Sequence, residues 1–327
     1  MGEFQGSFTP PRGARAGGRY TVRSQFFTPP EIFEGCFTTF YHMTLDVADG
    51  GAVTDYLQPE WGNIRFFAGS APTARIGASR VSGARFGATG PSSLPCQFEL
   101  ASARMWGIGF LPLGWARFVD APAYDLANLV CDGAAHPAFA KFDTLTPVLT
   151  DPDATQEEQL AHLTETLGAL MRTCRDEPKI RRVHESIVSG DHATVADLAS
   201  ECAMSVRTLE RLCRRYFGFT PKLLMRRQRF MRSLTSFMLR DARSARSHAG
   251  LEKRPARRWT EAMDAEYHDQ AQFTREFREF MTMLPSDYAA LDHPILASFM
   301  EARARIWGSA AQTLDPPCNG CETNPVD

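Results

Sequence analysis

The first half of the chain alternates between short apolar runs and breaks rich in glycine and proline. Within residues 20–148, runs such as 37–47, 63–67 and 105–110 have the length and spacing of β-strands. This pattern predicts a mostly β domain. Its length and turn density suit a small barrel or a sandwich, and the periodicity does not distinguish the two.

The hydrophobic period changes after Thr150 to that of an amphipathic helix. The apolar stripe consists of Leu160, Leu163, Leu167, Leu170 and Met171. Such a stripe must be covered, so this helix either packs on its own domain or forms a dimer seam. Asp153 or Thr155 suits its N-cap, and a second helix is predicted to follow Pro178 and to end near Gly190.

A helix, a tight turn and a second helix are predicted between residues 194 and 218. Their inner faces would consist of Val195, Leu198, Ala199 and Cys202 in the first helix and of Leu209, Leu212, Cys213 and Tyr216 in the second. Ser205 is a good N-cap between the two helices, and Gly218 suits a left-handed residue that closes the second. Pro221 then opens a long third helix through Arg240.

Packing of these inner faces leaves a charged face on the second helix. Arg207, Glu210 and Arg211 lie near its start, where a helix that reads the major groove needs donors and acceptors for base edges. Arg214 and Arg215 lie farther along and are better placed for phosphates. The alternative is a surface helix with ordinary Glu–Arg pairs.

The motif recurs after a shift of 64 residues, which makes a chance helix pair a poor explanation. The shift aligns Leu209, Arg211, Cys213, Arg214, Tyr216, Phe219 and Pro221 with Phe273, Arg275, Phe277, Arg278, Phe280, Met283 and Pro285. The upstream helix of the second copy would span residues 259–265, and Asp269 or Gln270 would open its second helix. Two such units can place reading helices in successive major grooves, about 34 Å apart.

Charge is distributed unevenly along the 327 residues. The chain has a net charge of −2, but residues 1–177 carry −6, 178–258 carry +12, 259–293 carry −6 and 294–327 carry −2. A basic block on a nearly neutral chain is the footprint of polyanion binding, since each neutralised phosphate releases counterions. A solvated basic surface is the other interpretation. With 43% hydrophobic residues, global disorder is excluded.

The tandem motif resembles the AraC/XylS family of bacterial transcription regulators over about a hundred residues. The match runs through Leu198-Ala199, Ser205, Thr208-Leu209, Arg211-Leu212, Phe217-Gly218 and Pro221, and again through residues 269–280 with Pro285 and Tyr288. The resemblance implies that bases are read by Arg207, Glu210, Arg211, Gln270, Ala271, Thr274 and Arg275. It implies phosphate contacts for Arg214, Arg215 and Arg278.

The second unit departs from the family pattern in its turns. It is one residue short before Tyr267, and Glu266 and Thr282 stand where the family commonly has glycine. A glutamate is a poor choice for a left-handed position. With the local charge of −6, these departures predict a weaker DNA grip than that of the first unit. Between the units lies a basic insertion, residues 240–258, which could contact the DNA backbone.

The resemblance also implies a fold of the α+β class, in which a cupin-like β-barrel that senses a small molecule precedes the helical DNA-binding domain. The stretch 106–118 looks like the sensor half of such regulators. Candidate effector-binding residues are Trp61, Arg65, Arg85 and Trp106, because concave sites use aromatic and arginine side chains. Core packing is the competing interpretation for both tryptophans.

Two other classes of function are alternatives to DNA binding. A cupin-like metal enzyme would need paired histidines with a carboxylate, whereas His42 and His136 stand alone in the β half. No metal site, cofactor or catalytic residue is therefore expected, and the Cys318-Asn319-Gly320-Cys321 sequence in the tail has no second pair. The second alternative is a protein-interaction module with a degenerate helical repeat.

The expected organisation has five parts. They are a flexible arm at 1–18, a β-rich effector-sensing domain at 19–150, a helical linker or dimerisation segment at 151–190, the DNA-binding domain at 191–293, and a helix with a flexible tail at 294–327. The expected partners are double-stranded DNA and an unknown small-molecule effector, with RNA polymerase and a second copy of the chain as further candidates. No signal peptide or membrane segment is predicted, and the protein is expected in the cytoplasm, on the nucleoid.

Arg211→Ala is expected to abolish specific operator binding, whereas Arg275→Ala should weaken it less, since the second unit is acidic and lacks two turn glycines. A bidentate arginine contact to a base contributes about 1–3 kcal/mol of discrimination. A gel-shift or anisotropy titration measures both affinities. Equal losses for the two variants would contradict the ranking.

Overall fold

The computed structural model describes residues 20–190, 192–247, 263 and 267–300. The predicted arm at 1–18, the helix predicted at 259–265 (apart from Met263), most of the insertion and both tail cysteines lie outside these residues. The strands are β1 (Tyr20–Phe27), β2 (Phe37–Val47), β3 (Val53–Leu57), β4 (Asn63–Gly69), β5 (Thr73–Ile76), β6 (Ser79–Ser82), β7 (Phe86–Thr89), β8 (Cys96–Leu100), β9 (Ala103–Phe110) and β10 (Val130–Asp132). The three runs singled out in the sequence correspond to β2, β4 and β9.

The strands form two antiparallel sheets. Six strands pair in the order β1-β2-β9-β4-β7-β10, and four pair in the order β3-β8-β5-β6. At one edge the sheets are joined by Ser79 of β6, whose hydroxyl donates to the carbonyl of Val130 and accepts from its amide, at 2.9 and 3.0 Å. The predicted α+β class, a β-rich region followed by a helical one, is confirmed. The cupin-like comparison stays a prediction.

The six-stranded sheet is buried on both of its faces. One face packs on the four-stranded sheet through residues such as Met43, Phe67 and Met105. The other, with Phe40 and Trp106, packs on helices. Because successive side chains of a strand point to opposite faces, a strand buried on both sides loses the polar alternation. Strand β2 shows this in its burial, since each of its first seven residues, 37–43, is buried.

The helices cover the second face of this sheet and continue into the tandem motif. They are α1 (Pro112–Phe118), α2 (Thr146–Leu149), α3 (Gln156–Leu170), α4 (Glu177–Ser189), α5 (Val195–Glu201), α6 (Val206–Leu212), α7 (Pro221–Ser247), α8 (Gln270–Met281) and α9 (Pro285–Ala290). A short 3-10 helix spans Ala123–Leu126, and Cys213–Phe217 form a π-helical turn after α6.

The amphipathic helix α3 packs inside its own chain. Its Leu163 and Leu167 are fully buried, and Thr155 caps it in a capping box with Glu158. Of the two caps considered, the structure uses Thr155. Gln159 of α3 accepts a hydrogen bond from Trp106 Nε1 at 2.7 Å, which fixes the helix to the sheet. Of the two alternatives for the leucine stripe, packing on its own domain is the one seen in the structure.

The long helix α7 also contacts the β half directly. Its Arg227 is buried, donates to the carbonyl oxygen of Ser92 at 2.9 Å, and lies 4.0 Å from the ring centre of Trp61. Gly218, with φ of 86°, lets the turn before α7 approach Pro91 closely, since a Cβ there would lie 3.1 Å from the proline ring. The first helix-turn-helix unit and the β half therefore share one hydrophobic core.

His42 makes the stability of the β half depend on pH. Burial, aided by the charge of Arg104, lowers the pKa of His42 from 6.5 to about 4, and its Nδ1 lies 2.9 Å from Gln156 Nε2. In the unfolded chain His42 binds a proton below about pH 6.5. In the folded chain the His42 imidazole stays neutral until the pH falls to about 4. The contribution of His42 to stability is thus present above pH 6.5 and lost as the pH falls to 4.

The expected loss from His42 over that interval is about 3 kcal/mol of unfolding free energy. Urea unfolding followed by circular dichroism between pH 7 and pH 4 measures it. Between pH 7 and pH 4, the unfolding free energy of His42→Asn should fall by about 3 kcal/mol less than that of the wild type. The exposed control His268→Asn should follow the wild type. An unchanged slope in His42→Asn would contradict the assignment.

Candidate nucleic-acid interface

Side-chain caps fix the starts of both helices in the first unit. Thr194 Oγ1 accepts from the amide of Asp197, and the Asp197 carboxylate accepts from the amide of Thr194, at 3.1 and 2.9 Å. Ser205 Oγ accepts from the amide of Thr208 at 3.2 Å, so the predicted N-cap is confirmed. The turn between them passes through Ala203 in the left-handed region, with φ of 53°. The result is a short, rigid corner.

Apolar packing fixes the orientation of α6. Its inner face and that of α5 are buried through Leu198, Ala199, Cys202, Leu209, Leu212 and Cys213, as the periodicity predicts. Helix α4 supports the pair, since Ser186 Oγ donates to Glu201 Oε1 at 2.8 Å. Burial raises the pKa of Cys213 strongly, so this thiol is a neutral packing group.

The outer face of α6 carries the predicted base-reading groups. Arg207, Glu210 and Arg211 are all exposed, and none forms an ion pair with another described residue. Val206 at the first position of the helix is 41% exposed. An exposed valine beside such donors offers an apolar contact to a thymine methyl group. Val206 was not predicted from the sequence, because the prediction was based on polar side chains that hydrogen-bond to base edges.

The end of the reading helix departs from regular α-helix. In the π-helical turn Cys213–Phe217, Arg214 lies 5.7 Å from the ring centre of Tyr124, and Arg215 lies 5.4 Å from that of Tyr216. Both arginines remain exposed, as a phosphate contact requires. Tyr124 belongs to the β half and is 55% exposed, so the β half borders the candidate interface. Nothing in the local sequence signals this neighbour.

The second unit presents a similar face on α8. Asp269 caps the helix by accepting from the amide of Gln272 at 2.6 Å, which confirms one of the two starts considered. The predicted DNA-facing residues Gln270, Ala271, Arg275 and Arg278 are exposed, and Thr274 is half-buried. Thr274 Oγ1 donates to the carbonyl of Gln270 at 2.8 Å.

Part of the acidic charge of the second unit points away from this face. Glu276 is buried between α8 and α7, where it accepts from Arg226 at 2.9 Å, from Arg229 at 2.7 Å and from Tyr267 Oη at 2.7 Å. Glu279 pairs with Arg226 as well. The net charge of this stretch therefore overstates the repulsion that DNA would meet, since these two carboxylates are neutralised within the protein.

The turn after α8 carries the departure noted in the sequence. Thr282 is the C-cap and has φ of 57°, a left-handed conformation that a glycine adopts more easily. The unusual residue is thus tolerated at the expense of backbone strain. Glu266, the other departure, lies outside the described residues.

A cleft of about 1060 Å³ separates the two units. Thr194 and Val195 at the start of α5 line one side, His268 and Gln272 the other, and Lys222 lies on α7 between them. The exposed starts of α6 and α8 belong to the two units on either side of this cleft.

Comparison with known families bears on the first unit. Residues 190–226 match the family model described as bacterial regulatory helix-turn-helix proteins, AraC family. The chain carries an AraC-family helix-turn-helix. The matched segment contains α5, α6 and the start of α7, and it supports a DNA-binding transcription regulator. No curated protein sequence matches the chain.

Two solved structures are similar to this chain at low levels. ToxT from Vibrio cholerae has 9% sequence identity and a TM-score of 0.39, and the match covers 73% of this chain and 94% of ToxT. The AraC-like transcriptional activator CuxR has 13% identity and a TM-score of 0.27, with 64% and 79% covered.

The four effector candidates occupy different places in the structure. Trp106 is buried on the helix-facing side of the sheet, and Trp61 is buried between the β half and the first unit, where it contacts Phe217. Arg85 is exposed and donates to Thr150 Oγ1. Only Arg65 lines a cavity between the sheets, where it is paired with Glu60 at 2.5 Å. The structure does not bring the four together.

Two further properties concern the described residues as a whole. No helix in the described residues is both long enough and apolar enough to cross a membrane. Within the same part of the chain, His, Cys, Asp and Glu side chains form no group of three or more that could hold a metal ion.

Glu276→Gln is expected to lower the stability of the second unit by about 2–4 kcal/mol, because Arg226 and Arg229 lose their buried counter-charge. Hydrogen exchange of α8 and α9, measured by mass spectrometry, should become faster. Glu279→Gln is the matched control, since it removes the same charge at an exposed position and should have little effect. Equal protection in the two variants would contradict this role for Glu276.

Proposed function

We propose that this chain is a sequence-specific DNA-binding transcription regulator that reads bases with the exposed face of α6. The observation that carries the proposal is the rigidly capped helix whose Arg207, Glu210 and Arg211 face solvent without an ion pair to another described residue. Side chains that are already paired within the protein would have to be released before binding a base. Here that step is not needed, which favours direct readout.

The roles along the two units follow from position. Arg214, Arg215 and Arg278 contact phosphates, because they lie toward the ends of α6 and α8 rather than at their starts. In the second unit the base-facing residues are Gln270, Ala271, Thr274 and Arg275. Their exposure, complete or partial, supports this assignment, and the neutralised Glu276 removes one reason to expect a weak grip.

The β half is proposed to regulate the DNA-binding half. Residues 19–150 would sense a small-molecule effector, residues 151–190 would link or dimerise, and residues 191–293 would bind DNA, as a cytoplasmic protein on the nucleoid. Support comes from the direct contact between the halves through Arg227, Trp61 and Phe217, since an effector that shifts the β half also shifts α7. Contact with RNA polymerase and with a second copy of the chain are further parts of the proposal.

Selection from a random duplex pool should yield a defined operator, and affinity for it should fall steeply with salt. The expected slope of log affinity against log salt concentration is about −0.9 per phosphate contacted. Removing two phosphate contacts with Arg214→Ala and Arg215→Ala together should make the slope shallower by about 2. Anisotropy titrations at several salt concentrations measure it.

Arg80→Ala is the matched control, since it removes one positive charge from an exposed strand position in the β half and should leave the slope unchanged. Failure to enrich any sequence, or binding that ignores salt, would count against a DNA regulator. Salt-independent capture of a protein would instead favour the interaction-module alternative.

A further inference from the structure

The chain returns to the β half after the second helix-turn-helix unit. Asp55 on β3 is buried, and its Oδ2 accepts from the amides of Ile295 and Leu296, both at 2.8 Å. His293 lies between the two parts, with Nδ1 3.3 Å from Asp55 Oδ1 and Nε2 3.0 Å from the carbonyl oxygen of Tyr288 in α9. Asp55 thus fixes the segment 293–300 to the β half by hydrogen bonds. Through His293 it also connects the β half to α9 of the second unit.

This segment inserts apolar side chains between the two sheets. Ile295 is 2% exposed within the inter-sheet core, and the Phe299 ring contacts those of Phe26 and Tyr41 at 5.6 and 5.3 Å between centroids. Both side chains line a cavity between the sheets, which Phe98 also lines. The free volume of this cavity is about 60 Å³. That volume is room for a few water molecules, whereas ligand pockets span about 300–1,000 Å³. The segment therefore fills most of the space that a ligand would need.

The rest of the cavity wall is apolar or already satisfied. Arg65 donates to Glu60 and to the hydroxyl of Tyr41, at 2.5 and 2.9 Å. Thr89 Oγ1 donates to a backbone carbonyl oxygen. The other side chains of the wall are hydrocarbon or sulphur-containing, among them Met43, Phe67, Phe98 and Leu100. A ligand of this space meets no unpaired charge, so the site selects a neutral, apolar molecule.

The contact between the inserted segment and the β half leaves two buried polar atoms without hydrogen bonds. Ser298 Oγ and Gln58 Oε1 are buried without a hydrogen-bond partner among the described residues. An unsatisfied buried polar atom costs about 1–3 kcal/mol. These two atoms offset part of the gain from burying Ile295 and Phe299, which makes the segment displaceable.

We propose that Ile295 and Phe299 are a built-in occupant of the inter-sheet site, and that a neutral apolar molecule binds there by displacing them. Displacement separates Ile295 and Leu296 from Asp55 and so releases the second helix-turn-helix unit from the β half. The proposal deepens the effector-sensing part of the proposed function, by naming the ligand class and the element that responds. Its test needs no DNA.

The test measures binding of the neutral dye N-phenyl-1-naphthylamine to the full chain by fluorescence. Phe299→Ala empties part of the site and should lower the Kd for the dye about tenfold. Ile32→Ala, which truncates a 56% exposed apolar residue elsewhere, should leave the Kd unchanged. Adding Ala74→Phe, which fills the cavity from β5, to Phe299→Ala should restore the weak binding.

Hydrogen exchange supplies the second readout. In the wild-type chain, saturating dye should increase exchange in residues 270–300 while β2 and β9 stay protected. Should Phe299→Ala not fold, as judged by circular dichroism, Asp55→Asn takes its place, with a Kd expected to fall about threefold. The proposal is overturned if the Kd of Phe299→Ala, or of Asp55→Asn in its place, lies within twofold of that of the Ile32→Ala control. It is also overturned if the dye binds but leaves hydrogen exchange in residues 270–300 unchanged. Because neither readout involves DNA, such a result leaves the DNA-binding proposal standing.

Discussion

The six-stranded sheet must bury both of its faces, and most of the architecture follows from that requirement. The four-stranded sheet covers one face, and helices cover the other. The first helix-turn-helix unit is part of this cover, since Phe217 contacts Trp61 and Arg227 lies over the same ring. Separating the unit from the sheet would expose a contiguous apolar surface. The reading helix α6 is therefore held in a fixed orientation to the β half.

The second unit is attached in a different way. It has its own small core, built around Phe230, Phe273, Phe277 and Tyr288, and the buried Glu276 fastens α8 to α7. Its link to the β half runs through α7 and through the segment that follows α9, which Asp55 holds by hydrogen bonds and which packs Ile295 and Phe299 into the inter-sheet core. Two apolar side chains and a few hydrogen bonds form a much smaller contact than the hydrophobic core that the first unit shares with the β half. The two units are thus unequal in their attachment, and the second is held to the β half by the smaller contact.

Net charge along the chain is an incomplete guide to the field at the interface. The basic block of residues 178–258 contains Arg226, Arg227 and Arg229, all of which turn inward. In the second unit Glu276 is buried against Arg226 and Arg229, and the more exposed Glu279 pairs with Arg226. Arg226 and Arg229 are thus paired with Glu276 and Glu279, so the field that DNA meets depends more on the exposed arginines of α6 and α8 than on the totals.

Local patterns in the sequence were sufficient for the elements that local interactions determine. The strand runs, the caps Ser205 and Thr155, and the closing Gly218 are as predicted, because periodicity and capping involve residues within a few positions of each other. Only the tertiary structure decided which charges face outward, that Tyr124 borders the end of α6, and that Ile295 and Phe299 fill the inter-sheet space. Asp55 and Ile295 are 240 residues apart, and no local pattern carries information about such a pair.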